Sequence, residues 1–167
     1  MALTQHMVDM IRSPRALWLA GLGSFTLLVA ALLFEHVGGL APCKLCLTQR
    51  VPHYGIVALA LIGFITPQAN RLWRLMAAAC ALMTASVGLQ HVGVEQGWWQ
   101  GPQGCTAQMA GGDLASLTDS LLATPVVRCD EIAWQLWGIS MAGWNMVASL
   151  IIATLLIYSI VAGPKAA

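Results

Sequence analysis

Apolar positions along this chain gather into four blocks, and polar positions collect between them. Ala16 to Phe34 is an uncharged apolar run, and an α-helix needs about 17–25 such residues to cross a bilayer. Val51 to Ile65 is the second block. It is too short to span alone, so its helix is expected to start further back, near Cys46. Leu75 to about Gln90, rich in Ala and Met, is the third block, and Met141 to about Val161 is the fourth. The pattern predicts an all-α membrane protein, a four-transmembrane-helix bundle. Its spans fall at about 16–34, 46–65, 75–90 and 141–161, in a single integral membrane domain over 1–167. A cleaved signal peptide would have a shorter apolar part, about 7–15 residues, so the first block is expected to stay as a span. Pro52 cannot donate to the carbonyl of Thr48. A local distortion of the second helix is expected there, and not a helix start.

Between the blocks, residues 35–45 form a short loop and Thr66 to Arg74 a tight turn. A long, mostly polar segment runs over about 91–139. Within it, Leu114, Leu117, Leu121 and Leu122 share one face at helical spacing. Asp113 can cap the start of that helix, and Pro125 follows its end. A short amphipathic helix lying on the outer leaflet is predicted, with Trp98, Trp99, Trp134 and Trp137 at headgroup level.

Composition sharpens this picture. The 167 residues are 58% hydrophobic and only 9% charged, where soluble domains carry about 25% charged residues. The net charge of +1 gives no reason to expect nucleic acid. The distribution of charge says more. Four spans put both termini on one side, together with Arg12, Arg15, Arg71, Arg74 and Lys165. The other side holds Lys44, Arg50 and Arg128 among six acidic residues. A Lys/Arg excess marks the cytoplasmic face, so loops 35–45 and 91–139 are expected to face outward.

Those outward loops carry four of the five cysteines, on the side where disulfides persist. Cys43 and Cys46 stand three apart, neighbours on one face of a helical turn, at about 5–6 Å between Cα atoms, a separation that a disulfide accepts. Cys46 would have the helix N-terminus, Lys44 and Arg50 around it, and these favour its thiolate. The alternatives are a static disulfide or half a metal site. A zinc ribbon would repeat C-x-x-C after about 15–20 residues. Here the other cysteines are single and far apart, so no metal is expected. Cys105 sits in the turn-rich Gly101-Pro102-Gln103-Gly104 setting, and with Cys129 makes the second outward pair; a loop-closing staple is the plainer reading of that pair. Arg50, one turn past Cys46, shares its face. It can polarise a carbonyl oxygen, or it can snorkel to headgroups. His91 lies at the outer end of the third span. Cys80, in hydrocarbon, reads as packing. Glu35, His36 and His53 lie near the same surface without an assigned role.

Together, Pro42-Cys43-x-Leu45-Cys46 with Arg50, two outward loops with one cysteine pair each, and four spans with inward termini resemble the disulfide bond formation protein B (DsbB) family. These are quinone-linked thiol oxidases of bacterial inner membranes. The resemblance covers nearly the whole chain, and Pro52 and Cys80 stand outside its pattern. It implies that a periplasmic thioredoxin-fold (DsbA-like) dithiol partner attacks Cys105. Electrons would then pass through Cys129 to Cys43 and Cys46, and on to ubiquinone or menaquinone of the membrane quinone pool and respiratory chain. Cys43, Cys46, Cys105 and Cys129 are thereby implied as catalytic. Cys46, Arg50 and His91 are implied near the quinone head, with Cys46 as the thiolate that contacts it and Cys43 as the partner that exchanges with Cys129. A vitamin K epoxide reductase-like enzyme would carry its C-x-x-C late in the chain. A non-enzymatic four-span protein with structural loop disulfides would leave the placement of Arg50 without purpose.

Overall fold

The computed structural model describes residues 15–67, 70–102 and 127–162. Four helices dominate: α1 (Ala16–His36), α2 (Lys44–Ile65), α3 (Asn70–Glu95) and α4 (Met141–Val161). Each is long and apolar enough to cross a membrane. The expected amphipathic helix and Cys105 lie outside the described residues.

Helix α3 packs most extensively on α4, then on α2, and α1 packs chiefly on α2. The buried seam is narrow and built of small residues, including Ala20, Ala60, Ala77, Ala81 and Ala153, around Leu17, Ile56 and Leu156. Large apolar side chains such as Leu22, Phe25, Phe64 and Ile151 point outward and stay exposed. A soluble bundle would bury them; in lipid they cost nothing, and helices associate through close backbone approach instead. Gly21 shows this directly: a Cβ there would stand 2.5 Å from the Cβ of Ala60.

Helix α2 begins at Lys44 and runs unbroken through Pro52. Its N-cap is Cys43, whose sulfur accepts the Cys46 backbone N–H at 3.2 Å. Close to the proline, the Gln49 carbonyl accepts the Thr84 hydroxyl at 3.0 Å, tying the interrupted turn to α3. Before α4 the chain makes a small hairpin that the sequence pattern did not announce. β1 (Gln135–Leu136) pairs antiparallel with β2 (Ile139–Ser140), Gln135 opposite Ser140 and Leu136 opposite Ile139. Its two-residue turn holds Trp137 and Gly138 at φ 53° and 79°, the positive-φ turn that matches strand twist. Ser140 then caps α4, accepting the Gly143 N–H at 3.1 Å.

Candidate active site

The two thiols meet at the start of α2. Cys43 is buried and its sulfur lies 3.0 Å from that of Cys46. Both are free thiols, as is Cys80, whereas Cys129 is disulfide-bonded. Cys43 also receives His91 Nε2 of α3 at 3.5 Å. Hydrogen bonds from the Cys46 thiol, from His91 and from the Cys46 N–H outweigh burial, and hold the Cys43 thiol down at about 4. The more acidic thiol is therefore Cys43, whose sulfur caps the helix, and not Cys46 as expected from the sequence; the helix dipole adds its own stabilisation at the cap.

The sulfurs face different neighbours. Cys43 shares a buried cluster with Leu45, Val94 and Cys129. Cys46 lies on the wall of a cavity of about 440 Å³. That partly open cavity is bordered by α1, α2, the hairpin and the first turn of α4, with Phe34, Trp134, Trp137 and Trp144 among its apolar walls. Phe34 and Trp134 pack at 5.0 Å between ring centroids. Cys46, Gln49, Arg50, His53 and Asn145 supply the polar groups. The size and the sparse polar set suit a small, mainly apolar ligand.

Arg50 is fixed at the cavity by an ion pair with Glu35 of α1, and by donation to the Ala31 carbonyl at 3.3 Å. It is a held cation on the cavity wall. His91 does not line the cavity. It is buried behind the thiols, between Cys43 and Gln49, with Glu95 3.8 Å away and the Cys129 backbone against it. One oxygen of Glu95 is buried without a hydrogen-bond partner.

A polar chain continues inward from His91. Gln49 Nε2 lies 2.9 Å from His91 Nδ1, Asn145 Nδ2 donates to Gln49 Oε1 at 2.7 Å, and His53 Nε2 lies 3.0 Å from Asn145 Oδ1. His53 Nδ1 meets the Ser24 hydroxyl at 3.2 Å. All four helices contribute. Such groups inside a span are expensive unless satisfied, and they mark function.

Cys43, Cys46, Arg50 and His91 are thus brought together, and Cys129 joins them beside Cys43. Cys105 lies outside the described residues. Sequence reasoning passed over Glu35, Gln49, His53, Asn145 and the hairpin tryptophans. A signal existed for His53 and Asn145, polar residues inside apolar blocks. None existed for the hairpin, which rests on two residue pairs.

Comparison with known proteins gives the chain its relatives. The family model described as disulfide bond formation protein DsbB matches residues 13–159. Disulfide bond formation protein B of Verminephrobacter eiseniae (strain EF01-2) is 31% identical over 168 residues, covering 93% of this chain and 91% of that protein. The protein of the same name from Stutzerimonas stutzeri (strain A1501) is 32% identical, covering 82% and 88%. The one from Pasteurella multocida (strain Pm70) is 33% identical, covering 82% and 80%.

Proposed function

This chain belongs to the disulfide bond formation protein B family, membrane thiol–disulfide oxidoreductases, and from that premise we propose that it reoxidises a periplasmic DsbA-like dithiol protein and delivers the electrons to a membrane quinone. It does so from the bacterial inner membrane, with both termini cytoplasmic and both cysteine loops periplasmic. The observation that carries the reading is the division of labour between the two thiols: Cys43 packs with Cys129, and Cys46 lines the apolar cavity.

The exchange steps follow from ordinary thiol chemistry. A partner thiolate attacks Cys105 of a Cys105–Cys129 disulfide and releases Cys129 as thiolate. The second partner thiol resolves the mixed disulfide, leaving Cys105 and Cys129 reduced and the partner oxidised. Cys129 then attacks Cys43 of the Cys43–Cys46 disulfide, and Cys46 leaves toward the cavity. Cys105 attacks Cys129, re-forming the loop disulfide and expelling Cys43. A low-pKa thiol leaves faster, and Cys43 is the sulfur held at about 4. The final state, a reduced helix pair with Cys129 in a disulfide, has the same bonding as the structure.

A quinone bound in the cavity would supply a sink for the two electrons and two protons of the reduced pair. Ubiquinone and menaquinone both fit the chemistry of the walls. Arg50 holds positive charge beside Cys46, and the tryptophans supply apolar walls.

The test is turnover of full-length protein in detergent with a reduced DsbA-like partner and a soluble ubiquinone or menaquinone analogue. Cys46→Ser should abolish quinone reduction while still capturing the partner through Cys105. Quinone reduction that survives this substitution would sink the proposal.

A further inference from the structure

The hydrogen-bond chain behind the thiols has a direction, and backbone carbonyls fix it. The Leu45 carbonyl can only accept, so the Gln49 atom 3.4 Å from it is the amide nitrogen. That nitrogen also faces His91 Nδ1 at 2.9 Å, which must then accept. At the next link, Thr84 gives its proton to the Gln49 carbonyl at 3.0 Å. Its oxygen is left to accept from Asn145 Nδ2 at 3.2 Å. The same Asn145 nitrogen donates to Gln49 Oε1 at 2.7 Å. Asn145 Oδ1 therefore turns to His53 Nε2, which donates at 3.0 Å. Ser24, Gln49, His53, Thr84 and His91 are all buried, while Asn145 is half-buried and, with Gln49 and His53, borders the cavity.

We propose that Gln49 and Asn145 are positioning residues that lock His91 in the tautomer protonated at Nε2, aiming its N–H at the Cys43 sulfur. His53 anchors the far end of the chain by fixing the Asn145 amide. In a free imidazole either nitrogen can carry the proton. Here a second donor already occupies Nδ1, so the proton sits on Nε2, 3.5 Å from Cys43. The opposite tautomer would set two N–H groups against each other at Nδ1 and present a lone pair to a sulfur anion.

The same lock bears on metals. The ligand atoms of Cys43, Cys46 and His91 lie within 4.8 Å of one another, a spacing that could hold a soft cation. With Nδ1 accepting from Gln49 and Nε2 protonated, His91 has no lone pair to offer at that point. In that state the cluster is a thiolate with its donor, and a cation would have to displace the Nε2 proton to bind there.

The purpose of the lock rests on the proposed thiol relay, but its test needs neither quinone nor partner. Full-length protein with ¹⁵N-labelled histidine, reduced at the helix pair, is followed by ¹⁵N NMR in detergent. The native His91 should show Nε2 protonated. Gln49→Glu places a carboxylate oxygen at Nδ1, and should pull a proton onto that nitrogen. Asn145→Leu frees Gln49 to rotate, and should leave His91 in a mixture of tautomers. His53→Ala tests the anchor and should disturb His91 less than Asn145→Leu does. A native His91 protonated at Nδ1 would overturn the proposal, as would a native-like spectrum in both Gln49→Glu and Asn145→Leu. Folding of each variant is read from its other histidine signals. If the tautomer behaves as described but quinone is not reduced by the native protein, the proposed function fails and the positioning roles stand. If quinone is reduced normally while the tautomer ignores both substitutions, the reverse holds.

Discussion

His91→Ala removes one donor from the Cys43 sulfur and leaves the other two. In the native protein that thiol is held at about 4 by the Cys46 thiol first, then by His91 and the Cys46 backbone N–H, against the opposing effect of burial. A hydrogen bond to a charged group is worth about 1.5–3 kcal/mol, and one pH unit corresponds to about 1.4 kcal/mol. The Cys43 titration should therefore move up by about one to two pH units, to about 5–6, and remain far below the 9.0 of an ordinary thiol. The assay is ultraviolet absorbance of the thiolate in reduced protein across pH, taken as the difference from Cys43→Ser. The same value sets a stability trend. Cys43 titrates lower in the folded chain than in the unfolded one, so the unfolded state binds more protons between the two values. The thiolate's contribution is full above about 9, shrinks as pH falls, and is gone below about 4. Reduced native protein should lose its thermal advantage over reduced Cys43→Ala across that window, and the oxidised protein should show no such loss. A titration unmoved by His91→Ala would refute the role of His91 as a donor to Cys43. A thermal advantage that grows as pH falls would refute the thiolate itself.

Arg50→Ala should weaken quinone reduction by about 10- to 100-fold, the equivalent of one charge-assisted hydrogen bond, while partner capture at Cys105 proceeds; equal survival of both steps would reduce Arg50 to a lipid anchor. Glu35→Gln leaves the cation in place but loosens it, and should cost only a few-fold in the quinone KM. Gly21→Val forces a branched side chain against Ala60, where even a Cβ would be 2.5 Å away. Overpacking of this kind costs about 1–3 kcal/mol, readable as a lower thermal midpoint in detergent. Trp137→Gly relieves a positive φ of 53°, so the midpoint should hold or rise while affinity for a quinone analogue falls with the lost cavity wall.

The four spans were legible because hydrocarbon imposes a length and forbids charge, and both constraints are written in the order of residues. The thiol pair and Arg50 were legible because one helical turn connects them. Glu35 was visible as a residue but not as the counter-ion of Arg50, since that pairing joins two helices across a loop. Likewise His91 could be placed at the right depth from its position in α3. Whether it faced the cavity or the back of the thiols depended on helix rotation, which a nearly uniform apolar surface does not encode. Gln49 looked like an ordinary interfacial residue. Its role comes from Asn145, 96 positions away.

Placing the charge on Cys43 while Cys46 borders the cavity separates two demands that a single sulfur would meet badly. A good leaving group needs donors converging on it, and those donors come from the helix start and from α3, on the side where Cys129 packs. A sulfur that meets a lipid-soluble acceptor needs an apolar approach, which crowding by donors would block. The C-x-x-C spacing supplies both because its first residue is the cap, outside the helix, and its second is the third helical residue, turned toward α1 and the hairpin. An insertion between Pro42 and Cys43 leaves the cap intact, so it should be tolerated better than one between Cys43 and Cys46, which removes the cap and the shared proton together. Comparing the two insertion variants for quinone reduction and for the Cys43 titration separates this view from one in which only sulfur proximity matters. On that simpler view, any variant that still forms the disulfide would turn over normally.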